Sequence, residues 1–427
     1  MKRRLVVALT LTALTALSTI AEAKTTLSVW YHAGRPAERQ VLEDQIARFQ
    51  KDNPEIEIKA VQLPEGSYND QISAAALSNS LPDLLDFDGP LLANYVWSGH
   101  VRPLNGLLPQ EIIDDLLPSL TAQGTYPIDG KLYGVGAFDS GLALWANRAL
   151  LEKAQIRIPT TPEDAWTLAE FEDAMTRLSK LDGVKWPLDV KLNYGNGEWF
   201  TYGFSPLVQS FGGDLIDRKS WKAAGALDSD GSVRGLGKLQ EWIKRGWVVP
   251  ASAGDTAFYG DKTAALALVG HWAFPNHDKG LGADAILLPM PKFGPRHVTG
   301  LGSWNWGISS ESKRATEAAA FLAFLMRPDE ILRIANANGA VPGRKAAIPQ
   351  SDLYKDGGRL NLYYKQLLTI GVSRPFHPAY PLLTRAFADA VSNVVSGADV
   401  KTELRKAAAR VDRGVAENGG YPPFGSK

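Results

Sequence analysis

Apolar and polar positions follow three rhythms along this chain. The first is an apolar run from Leu5 to Ile20, behind a basic head of Lys2, Arg3 and Arg4 and ahead of Ala21-Glu22-Ala23. That order predicts a secretory signal peptide over residues 1–23, cut after Ala23, whose apolar run is too short for a comfortable membrane span. The second rhythm has a period of two. TLSVWY (26–31) and IEIKAVQL (56–63) alternate and are rich in strand formers, so both read as strands, and Asp83 to Phe87 reads the same way. The third has helical spacing. Leu42, Ile46 and Phe49 mark the apolar face of a helix that starts near Pro36 and stops at Asn53-Pro54; Ser67 to Asn79 also looks helical, and Gly89-Pro90 opens another helix. Strands alternating with helices predict an α/β protein with a parallel sheet covered on both faces.

The middle of the chain has a different texture. Tyr133 to Asn147 is an extended apolar segment with glycines, suited to a crossing between two lobes. Thr167 caps a helix to Leu181, with Glu170 completing a capping box and Phe171, Met175 and Leu178 facing inward. Residues 183–213 read as loop-rich and aromatic, and Val233 to Arg245 resumes helix. Ala264 to Val269 and Ala285 to Pro291 read as buried strands, and Thr299 to Gly307 as a glycine-rich loop. Helices follow at Ala315 to Met326, Leu382 to Val395 and Val400 to Val415. No repeat, low-complexity tract or long linker interrupts this order, which fits two lobes joined by more than one crossing.

Composition narrows the function. Lys and Arg number 46, Asp and Glu also 46, and no long run of one sign occurs, which argues against nucleic acid or an anionic membrane surface as partner. The chain has no cysteine, which removes disulfides, thiolate chemistry and the acyl anchor of a lipoprotein. An exported protein without an anchor needs a second barrier to stay near its cell, so the expected compartment is the periplasm of a Gram-negative bacterium.

Several segments then match a family in order and spacing. They are TLSVWYHAG at 26–34, LPDLLDFDG at 81–89, YGVGAFDSGLALWANRALLEKA at 133–154, LVGHWAF at 268–274, TGLGSWNWGIS at 299–309, the helix ending FLAFLMRPDE, and GAVPGRKAAI at 339–348. Over the whole span beyond the signal segment the chain resembles the extracellular sugar-binding proteins of ABC importers, the group that includes the maltodextrin- and trehalose/maltose-binding proteins. The resemblance implies a two-lobed periplasmic binding protein fold of type II character, with hinge crossings and a ligand cleft between the lobes. Carried onto this chain, it implies an N-terminal lobe of 24–135 plus 291–341 and a C-terminal lobe of 136–290 plus 342–427. It also implies a carbohydrate ligand, permease subunits in the inner membrane as partners, and a monomeric protein needing neither cofactor nor metal.

A sugar has hydroxyls at its rim and C–H bonds on its faces, so its site needs carboxylates, amides or arginine together with aromatic plates. His32 follows the first strand, and Asp86 and Asp88 close the third, at strand ends where ligand groups converge. Ser303 and Trp304 stand where Gly300 and Gly302 let backbone approach a ligand. Arg344 and Arg374 bring guanidinium forks beside proline-marked turns. Trp272 ends a buried strand where the resemblance implies a stacking ring; it further implies a polar contact at Asp139 on the first crossing and a cleft rim at Trp199 and Gly213. Trp306, alternating with Trp304, reads as core.

Two other readings stay open at this level. His32, Arg35, His271, Arg344 and Arg374 could bias the cleft toward an anionic solute such as a sugar acid, sulfonate or phosphate ester. A secreted glycosidase is the third reading, although Asp86 and Asp88 are too close on one strand to flank a scissile bond, and no nucleophile elbow or HExxH helix occurs.

Overall fold

The computed structural model describes residues 24–424, so the segment read as a signal peptide lies outside the described residues. Along them run the strands β1 (Thr25–His32), β2 (Ile56–Leu63), β3 (Leu84–Asp88), β4 (Phe138–Asp139), β5 (Leu142–Asn147), β6 (Trp186–Asp189), β7 (Ala264–Gly270), β8 (Ala285–Leu288), β9 (Thr299–Leu301), β10 (Trp304–Ile308), β11 (Val341–Pro342) and β12 (Gly371–Ser373).

Two four-stranded sheets anchor two lobes, ordered β10-β3-β1-β2 and β6-β7-β5-β8. Neither is wholly parallel, which corrects the expectation. In the first, β1 runs parallel to β2 and β3 but β10 is antiparallel to β3; in the second, β5 is antiparallel to both β7 and β8. The reason is connectivity: β5 and β10 each follow directly on a passage between lobes and enter their sheets from the opposite end. Helices cover the sheets. Leu27, Val29, Phe49, Leu84, Ile308 and Phe321 belong to the first lobe's core, and Leu144, Trp166, Phe171, Leu266, Phe387 and Leu404 to the second's.

The crossings are themselves paired. β4 lies antiparallel to β11 and β9 parallel to β12, while the Thr299 hydroxyl donates to the Leu142 carbonyl at 2.6 Å. Because β9 pairs with β12 and the next strand, β10, joins the first sheet, we propose that the chain changes lobes at Gly302-Ser303, eleven residues beyond the Pro291 expected from the sequence. Gly302 has φ +144°, a conformation that side chains disfavour, and a Cβ there would meet the Arg374 guanidinium at 2.8 Å. The expected glycine-rich loop is therefore two short strands with a kink.

The capping box at Thr167 and Glu170 forms as read, and its helix (Leu168–Leu178) buries Phe171, Ala174, Met175 and Leu178. The segment 183–213 departs from expectation, since Glu198–Ser210 is a helix buried continuously from Phe200 onward. Gly203 and Pro206 lower its intrinsic propensity, but burial on all sides outweighs that weak prior.

Candidate ligand cleft

At the first-lobe edge β1 ends in His32, buried one position beyond the alternating core residues Leu27, Val29 and Tyr31. Its Nδ1 lies 2.5 Å from Asp86, its backbone N–H donates to the other Asp86 oxygen at 3.0 Å, and Nε2 lies 3.5 Å from Glu38. The imidazole stacks on the Trp304 ring, centroids 3.8 Å apart and planes 9° from parallel, while Tyr68 meets that indole edge-on. Burial opposes charge on His32, yet the Asp86 carboxylate outweighs it and holds the imidazole pKa well above its usual value. His32 and Asp86 thus satisfy each other and fix one face of Trp304. The space beneath them, next to the helix Pro36–Asp52, is about 40 Å³ and suits water, not a sugar ring.

The second lobe answers with an aromatic wall. Trp199 meets Trp272 edge-on at 5.9 Å, Tyr194 packs against Trp199 at 5.2 Å, and Tyr202 lies 6.1 Å from Trp272. Two glycines make room for these rings. A Cβ on Gly203, one turn beyond Trp199, would sit 3.0 Å from that indole, and one on Gly270 would come within 2.0 Å of the Trp272 ring. Trp199 is fixed further by its Nε1, which donates to the Val190 carbonyl at 3.3 Å.

Among the polar contacts that join the lobes, two lie beside the aromatic wall. Arg35 donates to the Tyr194 hydroxyl at 3.2 Å, and Arg374 grips Asp88 with both terminal nitrogens, at 2.5 and 2.6 Å. Arg374 also pairs with Glu198 at 2.5 Å and lies 4.7 Å above the Tyr202 ring. Beside it, between the lobes, opens a cavity of about 350 Å³ lined by Pro90, Ser119, Gln123, Thr125, Ser373 and Phe376, among others.

The hinge holds Asp139 fully buried. It accepts from the Ser119 hydroxyl, from Gln123 at 3.2 Å and from the Ser140 backbone N–H at 2.8 Å, and burial pushes its carboxyl up. Ser303 is tied to the same group, since its N–H donates to Gln123 at 3.0 Å and its hydroxyl to the Phe138 carbonyl at 2.7 Å. These two residues pin crossings together.

The structure therefore brings His32, Asp86, Asp88, Trp304, Trp199, Trp272 and Arg374 to the cleft region, with Asp139 and Ser303 at its hinge. It sends two candidates elsewhere. Arg344 spends its guanidinium on Asp115 at 2.7 Å and on the carbonyls of Met326 and Glu111. Gly213 packs on the helix Asp230–Lys244, where a Cβ would strike the Ser232 hydroxyl at 2.1 Å, so it is a packing glycine. Glu198, Tyr202, Tyr194 and Gln123 were missed by the sequence reading. The Trp199–Gly203 spacing was the one local clue, and it became readable only once the segment was known to be helical.

Three other histidines give a pH signature. Burial lowers His271 and His377 to about 4 and His277 well below its usual value; His277 has neither ring nitrogen bonded among the described residues. Between about pH 6.5 and 4 the unfolded chain binds protons on these rings that the native state refuses, so stability falls as pH drops through that window. His32 works in the opposite sense: its raised pKa adds stability that is full below about pH 6.5 and is lost as pH rises through its folded value. Melting followed by circular dichroism from pH 7 to 4 should show the acid-side fall. His277→Phe should shallow it, since the ring sits among Trp145 and Phe258; an unchanged acid slope would contradict the assignment.

The model of the bacterial extracellular solute-binding proteins matches residues 44–360. This chain belongs to that family. As a solute-binding protein of an extracellular family it is exported, and its fold has many solved counterparts. One is the GacH receptor of Streptomyces glaucescens, solved unliganded and with acarbose, at 23% identity, 93% of this chain, 98% of that one and a TM-score of 0.77. Another is a solute-binding protein of Thermotoga lettingae bound with α-D-tagatose, at 22% identity, 91% and 99% coverage and a TM-score of 0.78. Among sequences, a mannitol-binding protein of Pseudomonas aeruginosa is 24% identical over 330 residues, 70% of this chain and 69% of that protein.

Proposed function

We propose that this solute-binding protein captures an uncharged carbohydrate or sugar alcohol between its lobes and presents it, unaltered, to the permease of an ABC importer. Its compartment in this reading is the periplasm, reached by cleavage after Ala23. The observation that carries the proposal is the aromatic wall of Trp199, Tyr202 and Trp272 beside the interlobe contact of Asp88 with Arg374. Such rings offer flat apolar faces to sugar C–H bonds, and the polar groups take hydroxyls. The neighbouring cavity of about 350 Å³ falls in the usual size range for small-molecule sites. The proteins similar to this one that are named for or solved with mannitol, tagatose and acarbose favour polyhydroxylated solutes as a class.

Charge argues against an anionic ligand. Of the five residues that could favour an anion, Arg374 is shared by two carboxylates, His32 is held by Asp86 and Glu38, Arg344 is engaged by Asp115, and His271 is neutral above about pH 4. That leaves Arg35, on the Tyr194 hydroxyl, as the one cation of the five without a carboxylate among the described residues. A hydrolytic role has equally little support. Asp86 and Asp88 lie two positions apart on one strand, each occupied by a cationic partner, so they do not flank a bond from opposite faces. Calorimetric titration with hexoses, hexitols, disaccharides and the matching uronic acids tests the proposal. The expected result is one neutral binder per protein with unchanged ligand recovered; exclusive binding of the acids, or silence throughout, would overturn it.

A further inference from the structure

Glu198 stands at the first position of the helix Glu198–Ser210, a residue with no role in the sequence reading. Second-lobe groups surround it. The Tyr380 hydroxyl donates to one oxygen, and the Thr384 hydroxyl reaches the other at 2.6 Å and lies 2.8 Å from the Thr201 hydroxyl. Arg374 donates to Glu198 at 2.5 Å, and Tyr202, one turn along the same helix, lies beneath the guanidinium. The fork is thus placed from within the second lobe. Asp88 differs: among the described residues, its carboxylate takes hydrogen bonds from Arg374 alone, through two parallel bonds. Such a fork-to-carboxylate contact is strongly directional, so it forms only when the fork is already aimed.

We propose that Glu198 is a positioning residue for lobe closure: it holds the Arg374 fork so that Asp88 completes the grip when the lobes meet, and the empty protein closes on this ionic strap. Parting the lobes separates Asp88 from Arg374 and leaves the Arg374–Glu198 pair in the second lobe. Asp88 then becomes available to a ligand, so solute and Arg374 compete for the same carboxylate. Dissolved ions shield the separated charges of the open form more than the paired charges of the closed one, so added salt shifts the population toward open. The inference rests on the two-lobed cleft and not on which solute enters it.

The absence of cysteine makes the test clean. Lys51→Cys on the first lobe and Lys180→Cys on the second, both at exposed positions, carry spin labels whose separation is read by pulsed dipolar spectroscopy without ligand. The short-distance population should dominate at low salt and shrink at high salt. Glu198→Gln should shrink it several-fold at low salt and abolish the salt response, and Arg374→Lys should retain part of that response. A merely structural role would lower the melting temperature and leave the salt response intact. If Glu198→Gln does not fold, Thr384→Val, which removes a hydroxyl that holds Glu198 and leaves Asp88 and Arg374 in place, should weaken the salt response in the same direction. A salt-indifferent wild-type distance, or a folded variant with the wild-type response, would overturn the proposal. Sugar titration is independent of these distances, so failure of the strap and failure of the carbohydrate reading are told apart.

Discussion

Replacing Lys191 by methionine is expected to destabilise the second lobe by ~3–5 kcal/mol, the cost of leaving a buried charge without its partner. The ammonium is 1% exposed and lies 2.8 Å from Asp189, itself 1% exposed, and 3.1 Å from Asp255; it also donates to the Asp255 carbonyl at 2.9 Å. Asp189 ends β6, and among the described residues its second oxygen accepts only the Lys191 backbone N–H, at 2.8 Å. Methionine keeps the apolar stem and bears the same cost as lysine at φ +55°, so the substitution isolates the charge. Equilibrium denaturation reads the loss. Lys191→Met combined with Asp189→Asn should recover a large part of it, because the only carboxylate of the pair then left without its cation is Asp255, which is 32% exposed and reaches solvent. A double variant no more stable than the single would assign the loss to packing.

Removing the Trp272 ring is expected to weaken solute binding by about 1–3 kcal/mol, by analogy with base–aromatic stacking, or roughly 5- to 150-fold in Kd. The indole lies over Gly270 and meets Trp199 edge-on, so alanine strips the wall of a plate and deprives Trp199 of a neighbour. Because Trp272 is only partly buried, the melting temperature should move little. Titration of Trp272→Ala with the best sugar of the panel measures the effect. Wild-type affinity with a lowered melting temperature would make the ring a core residue.

Much of the scaffold was readable because its signals are local. The alternation of TLSVWY fixes which residues of β1 face the core, and Thr167 with Glu170 announces its helix three residues apart. Strand direction was harder to read, because the orientation of β5 and β10 depends on passages between lobes and not on their own residues. The site divides in the same way. Trp272, Asp86 and Asp88 stand at strand ends that the pattern marks, and Trp304 was marked by the glycines beside it, in what read as a loop. What Arg374 does was hidden, because its partners lie 286 and 176 positions away in the chain. Glu198 was out of reach, since Gly203 and Pro206 disguised its helix. Arg344 and Gly213 show the reverse error, in which a suggestive residue type is absorbed by Asp115 and by Ser232.

Whether a polyhydroxylated solute sits between the lobes is read from a crystal structure grown with the tightest sugar of the panel. Density for one sugar is expected there, with a ring face on Trp272 or Trp304 and hydroxyls on Asp88 or Arg374. Density confined to the outer surface, or a cleft that stays empty at saturating sugar, would contradict it.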